Sequence, residues 1–146
     1  MANRKIKNAT QNKLDNIEFK SRLEAMNYKN LKDTGFEPQY ESNKYIIWEG
    51  FSPIVPFYNK DTKTGLLKQD KKKLINITYT PDFTFMYKDL FVIIEGKGME
   101  NDVFPIKKKL FRKFLETWSI PVIYFEIYSK KQLMQAIEII KNYEKN

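Results

Sequence analysis

Two short segments carry the side chains best suited to chemistry. Tyr79-Thr80-Pro81-Asp82-Phe83 sets a carboxylate behind a proline, and Ile94-Glu95-Gly96-Lys97-Gly98 follows across a short turn. Side chains at i and i+2 of a strand share a face, so Glu95 and Lys97 project together. Pro81 has no N–H to give to a ladder, which puts Asp82 at the end or bend of its strand. A turn around Lys88-Asp89 makes the two strands antiparallel neighbours and brings Asp82 within reach of Glu95. Two carboxylates converging at a sheet rim repel each other unless they share a proton or a cation. Mg²⁺ suits such a pair, because it binds through few carboxylate oxygens together with phosphate and water, and Mn²⁺ is expected to substitute. Phosphodiester hydrolysis needs that arrangement: the ion acidifies a water, polarises a phosphoryl oxygen and steadies the leaving alkoxide. Lys97 can orient the water or offset charge in the transition state. The backbone carbonyl of Gly96, between the two side chains, offers a further ligand.

Composition removes the main competitors. The 146 residues include no Cys and no His. Thiolate zinc sites, disulfides, Ser-His-Asp triads and histidine-based nucleases are therefore excluded. Lys plus Arg number 26 against 18 Asp plus Glu, a formal charge of +8. That excess favours a polyanionic partner, nucleic acid first and an anionic membrane surface second. No apolar run approaches a membrane span, and Met1 to Gln11 lacks the hydrophobic centre of a signal peptide. The expectation is an intracellular, cytoplasmic protein, in the host cytoplasm if the source is viral.

The elements that must position these residues read as one α/β domain. Residues 1–13 are polar and basic, a mobile arm; 14–146 form a single domain. Ile17, Phe19, Leu23, Met26 and Leu31 fit one helical stripe between Asp15 and Asp33, ended by Gly35. A helix starting there begins before Ser21, which argues against Ser21-x-x-Glu24 as a capping box. Lys44 to Trp48 reads as a strand. A lysine-rich loop or hairpin near 58–74 precedes Leu74 to Tyr79, whose alternation marks a half-buried strand. Leu90 to Ile94 is a continuous apolar run, as in a central strand covered on both faces. Lys107 to Trp118 returns to helical spacing, Pro121 to Ile127 is a further strand, and Ser129 caps a last helix with Gln132 three residues on. The order is αβββαβα, a central mixed sheet flanked by helices.

The motifs taken together resemble a known family. Pro81-Asp82, with Glu95-Gly96-Lys97 starting thirteen residues after the Asp, is similar to the PD-(D/E)XK (restriction-endonuclease-like) signature. The likeness to phage endonuclease I-type Holliday junction resolvases goes further. Their pattern is Phe-basic-Ser-x-x-Glu on a first helix, then Tyr-Thr-Pro-Asp-Phe, then Glu-x-Lys-Gly. This chain has Phe19-Lys20-Ser21-Arg22-Leu23-Glu24, then Tyr79 to Phe83, then Glu95 to Gly98. The resemblance runs from Phe19 to Tyr128. It implies a PD-(D/E)XK core, Asp82 and Glu95 as metal ligands, Lys97 as the catalytic lysine, and Glu24 as a carboxylate for a second metal or its water. It also implies a homodimer that exchanges its first strand, here around Lys44 to Trp48. The segment from Asn59 to Asn76 is longer and richer in lysine than the family's, and a short helix replaces its basic tail.

The remaining candidates concern DNA. Lys71, Lys72 and Lys73, and Lys108, Lys109, Arg112 and Lys113 opposite a helical apolar stripe, can contact backbone phosphates; the plain alternative is a solvated surface. Nothing resembles a base-reading module, so recognition of shape or backbone is expected. The leading expectation is a Mg²⁺-dependent endodeoxyribonuclease acting on branched DNA such as four-way junctions. The rivals are a general or restriction-like duplex nuclease and a catalytically inactive nucleic-acid-binding protein.

Overall fold

Leu90 to Ile94 contains no polar side chain, so the chain must cover this stretch on both sides. The computed structural model describes residues 13–97 and 103–143. In chain order its elements are β1 (Lys13–Leu14), β2 (Ile17–Glu18), α1 (Arg22–Asp33), β3 (Gln39–Tyr40), β4 (Tyr45–Trp48), β5 (Tyr58–Lys60) and β6 (Leu67–Gln69). There follow β7 (Ile77–Tyr79), β8 (Phe83–Tyr87), β9 (Leu90–Gly96), α2 (Phe104–Leu115), β10 (Val122–Ile127) and α3 (Lys130–Lys141). The protein is a mixed α/β fold whose main sheet has the order β10-β9-β8-β3. β10 runs parallel to β9, while β8 and β3 are antiparallel, so the sheet is mixed.

β9 lies inside this sheet and each of its faces meets a separate apolar layer. Val92 and Ile94 pack with α1 and α3 through Tyr28, Leu31, Leu133, Ile137 and Ile140. Ile93 and Phe91 face the other way, into α2 and the β4–β7 ladder through Phe111, Leu115, Tyr45 and Tyr79. Val92, Ile93 and Ile94 are all fully buried. Two apolar layers therefore clamp the strand that ends in Glu95 and Gly96.

The first helix is shorter than the apolar stripe suggests. Asp15 and Asn16 take left-handed backbone, φ 51° and 64°, and turn a small hairpin that pairs Leu14 with Ile17. Asp and Asn tolerate that region better than other non-glycine residues. Ser21 is then the N-cap of α1, its hydroxyl accepting from the Glu24 N–H at 3.2 Å. The helix thus begins after Ser21, and capping is real. Ile17 and Phe19 belong to the hairpin and its exit, and Phe19 still reaches the core against Tyr28 and Tyr40.

Between α1 and α2 there are seven strands, where alternation suggests three. Leu74 to Tyr79 contracts to β7, with Leu74 in an isolated bridge to Phe51. Phe83 to Tyr87 forms β8, joined to β9 by a tight turn in which Lys88 has φ 54°. Lys13, placed in the basic arm by composition, sits in β1; residues 1–12 lie outside the described residues. The second helix starts at Phe104 with Pro105 in its first turn, a position where proline's missing N–H costs nothing. Ser129 caps α3 as expected, its hydroxyl accepting from the Gln132 N–H, while Gln132 accepts from the Tyr128 N–H.

Ser21→Ala is expected to lower stability by about 1 kcal/mol, the usual worth of an N-cap hydroxyl. Urea titration checks this, and an unchanged midpoint would show that the helix start does not depend on Ser21.

Candidate metal centre and active site

Asp82 and Glu95 meet because β8 and β9 are joined by that tight turn. Phe83 pairs with Ile94, which leaves Asp82 beside the Glu95–Gly96 peptide. The two residues exchange hydrogen bonds. The Asp82 N–H donates to Glu95 Oε2 at 3.0 Å, and the Gly96 N–H donates to Asp82 Oδ2 at 2.9 Å. Lys97 Nζ stands 3.4 Å from Glu95 Oε1 and 3.5 Å from the centre of the Phe104 ring. Its backbone N–H donates to the Ile127 carbonyl, so the parallel partner strand fixes where the side chain leaves the sheet. Tyr79, whose hydroxyl is 3.0 Å from that of Tyr124, lies near enough to Glu95 to favour its charged form. Asp82, Glu95 and Lys97 therefore form one connected group.

A second set of acids approaches Asp82 from the α1 side. Single carboxylate oxygens of Glu24, Glu41 and Asp82 lie within 4.8 Å of one another. Glu24 Oε2 accepts from the Lys20 N–H at 2.9 Å and from the Tyr40 hydroxyl at 2.8 Å. Glu41 has φ 46°, a strained value for a residue with a Cβ, and its N–H donates to the Asp82 carbonyl at 2.8 Å. Its side chain pairs with Lys20 Nζ at 2.9 Å, and that pairing, hydrogen bond first and charge second, raises the Lys20 pKa. Asp82 is shared by both sets.

Burial makes the carboxylates costly to ionise. Burial first, then the neighbouring charge of Glu95, pushes Asp82 up to about 8. Burial also raises Glu95, with Lys97 acting against the rise. The donors are all oxygens, the set that suits Mg²⁺ or Mn²⁺ and disfavours softer ions. Asp82 with Glu95 or with Glu24 and Glu41 can hold such an ion. Gly96 lies against Asp82, but Gly98 is outside the described residues.

Gly96 has a steric reason to be glycine. A Cβ there would lie 2.7 Å from Asn27 Nδ2 and 3.4 Å from Asp82 Oδ2. Asn27 is 1% exposed, and its Nδ2 is a buried donor without a partner. It sits one turn beyond Glu24 on α1, on the same side of the helix. An unpaired buried amide costs about 1–3 kcal/mol, so an oxygen arriving in the space over Gly96 would be stabilised there.

Beyond these residues lies a cleft of about 290 Å³, bordered by Thr78, Thr80, Glu95, Lys97, Phe104 and Lys107. The candidate phosphate contacts on α2 are not equivalent. Lys109, Arg112 and Lys113 are exposed. Lys108 is half-buried, pairs with Glu126 at 2.8 Å and lies over the Phe104 ring, so it is committed to the fold. Lys71, Lys72 and Lys73 are exposed, nine to eleven residues before Asp82. Glu41, Tyr40, Lys20, Asn27 and Tyr79 are the members that sequence reasoning misses. Lys20 and Tyr79 stand inside the quoted motifs without a role, and Asn27 left one trace, a short polar residue inside a helix, three residues after Glu24.

Over residues 4–129 the chain matches the family described as Protein of unknown function (DUF1064). The chain belongs to this family. The DUF1064 match takes in every carboxylate and lysine of the site and ends at the N-cap of α3. No curated protein and no solved structure matches the chain.

Two outcomes follow from the site as a DUF1064 protein presents it. Between pH 4 and 8 the folded protein holds the Asp82 proton that the unfolded chain releases, so stability falls as pH rises through that window. The melting temperature without metal is expected to decline from pH 5 to 8. Mn²⁺ should restore more at pH 8 than at pH 5, and Asp82→Asn should flatten the decline. Second, Gly96→Ala is expected to weaken Mn²⁺ binding by about tenfold through the Asn27 amide it displaces, an effect of outer-shell size. Adding Asn27→Ala should recover part of that loss in an electron-spin-resonance titration; an additive double variant would uncouple the two residues.

Proposed function

We propose that this protein is a metal-dependent endodeoxyribonuclease with a PD-(D/E)XK-type core, acting on branched DNA such as four-way junctions. The observation that carries the reading is a charge imbalance at one spot. Glu24, Glu41, Asp82 and Glu95 bring four formal negative charges together, and Lys20 and Lys97 return two. Glu41 and Glu95 each face a lysine, whereas Asp82 and Glu24 face each other. A deficit of two positive charges is what one divalent cation supplies. Once bound, such an ion provides the Lewis acidity that polarises a phosphoryl oxygen and acidifies a water.

The chain's own residues account for the rest. Asp82, fixed by the Gly96 N–H, and Glu95, fixed by the Asp82 N–H, are held side by side, and on this reading they share the ion. Lys97 is placed to steady negative charge on phosphorus, because Phe104 and Glu95 restrict where its ammonium can go. The cleft beside Lys97 and Lys107 admits a phosphodiester from the open side. A four-way junction is two-fold symmetric and requires paired cuts, which a symmetric homodimer delivers.

The test uses a synthetic four-way junction and a linear duplex of matching sequence, with Mg²⁺, Mn²⁺ or EDTA. Paired nicks in the junction with the duplex spared are expected, and EDTA should abolish them. Asp82→Asn and Lys97→Ala should each slow cutting on the order of 100-fold or more while both variants stay folded and still bind DNA. Equal cutting of both substrates would replace junction specificity with general duplex cleavage. Binding without cutting under every metal would end the catalytic reading.

A further inference from the structure

The chain leaves the core after β4 and returns to it in β7, and everything between these strands stands away from the sheet. The excursion has a narrow stem. Phe51 and Leu74 exchange backbone hydrogen bonds at 2.9 Å, and the Gly50 N–H donates to Asn76 Oδ1 at 2.7 Å. A Cβ on Gly50 would fall 2.0 Å from the Leu74 carbonyl oxygen, so only glycine lets the two backbones approach so closely. Beyond the stem, β5 and β6 pair as a hairpin with Tyr58 opposite Gln69 and Lys60 opposite Leu67. Neither strand buries a face.

The surface of this arm is unusual in two respects at once. Its apolar side chains are open to solvent: Ile54 is 96% exposed, Ile75 80%, Leu67 76% and Leu66 70%. Phe57 and Tyr58 are more than half exposed beside them. Between Phe57 and Lys73 there are also six lysines against two aspartates. Both aspartates accept backbone N–H groups, Asp61 from Lys63 and Asp70 from Lys72, and Asp61 also approaches a lysine, Lys68, at 4.0 Å. Lys60, Lys63, Lys68, Lys71, Lys72 and Lys73 are all exposed. A two-stranded hairpin with no buried face is marginal by itself, so a partner completes it.

Charge decides which partner. A second copy would bring the same positive arm against this one, and like charges oppose that contact. A polyanion brings the complement. Chain continuity then narrows the polyanion. β7 runs from the stem directly to Tyr79, and Asp82 follows three residues later, so at most about 20 Å of extended chain separates the stem at Asn76 from Asp82. One nucleic-acid strand, with a phosphate every 3.4 Å or so, can touch both. A membrane surface offers no reason for that proximity.

We propose that the arm from Gly50 to Asn76 is a nucleic-acid-binding element, its lysines holding backbone phosphates and its exposed apolar residues packing on sugars and bases. This rests on the proposed action on DNA and adds where the DNA is held. The test measures binding of a fluorescein-labelled duplex and four-way junction by anisotropy in EDTA, across a series of salt concentrations, with the full chain. Lys68→Ala/Lys71→Ala/Lys72→Ala should weaken binding at least tenfold and reduce the slope of log K against log salt by about 2 to 3. Leu66→Ser/Leu67→Ser should weaken binding with the slope unchanged, because apolar contacts release no counterions. Melting temperatures should stay at the wild-type value, since all five side chains are exposed. Identical affinities and slopes would overturn the proposal. So would a wild-type dimer that the Leu66/Leu67 variant abolishes without loss of DNA affinity, or binding to phosphatidylserine vesicles with none to DNA. If both variants bind and cut as wild type does, the arm reading falls and the nuclease reading stands. If the lysine variant loses DNA binding but no metal ever supports cleavage, the arm stands and the nuclease reading falls.

Discussion

The site depends on one reciprocal contact. Asp82 gives its N–H to the Glu95 carboxylate and takes the Gly96 N–H on its own, so two acids are locked side by side at the sheet's rim. Each hydrogen bond favours the charged form of its acceptor, while burial and mutual repulsion oppose it. Burial wins, and Asp82 is held well above the carboxylate range. A fold stable for its own sake would not collect acids there. The proposed cation would account for the arrangement, and the cost of assembling it is carried by the apolar layers on either side of β9.

Those layers do more than stabilise. Ile93, on the same face of β9 as Glu95, is sealed by α2, Tyr79 and Tyr45, while Val92 and Ile94 are sealed by α1 and α3. Because both faces are occupied, β9 cannot tilt, and the Glu95 and Lys97 side chains leave it in fixed directions. The same α1 that seals one face carries Glu24 and Asn27 to the site, and the β4–β7 ladder that seals the other carries Tyr79. Packing and chemistry use the same elements. Lys108 shows the converse: its place on α2 suggests phosphate contact, yet its ammonium is paired with Glu126.

What was legible in the chain is what short-range rules govern. Asp82, Glu95 and Lys97 were readable because Pro81 and the i, i+2 alternation constrain them locally. The apolar run of β9, the Ser129 cap and the existence of β10 were readable for the same reason. The start of α1 was not, because Ile17 and Phe19 continue its apolar period by coincidence while Asp15 and Asn16 turn the chain. Glu41 was invisible for a different cause. It follows a two-residue strand, too short for alternation to register, and it reaches Asp82 only through the β3–β8 pairing. Its left-handed backbone is set by that contact and by nothing in its neighbours. Gly96 was singled out in the sequence for its backbone carbonyl, whereas its missing side chain is what leaves room for Asn27 and Asp82.

The charge distribution also orders events on the protein. Over the whole chain the balance is +8, and the exposed lysines of the arm and of α2 share in that excess. The carboxylate cluster is the exception, a local patch that repels phosphate while it lacks a cation. On the proposed nuclease reading, a polyanion is drawn to the protein as a whole and kept from the acids until a divalent ion reverses their sign. That reading makes attraction and admission separate steps, the first weakened by monovalent salt and the second switched by divalent metal. Arm and cluster need not be large to achieve this. They need only carry opposite charge and lie within a few phosphates of each other, which the short run from β7 to Asp82 provides.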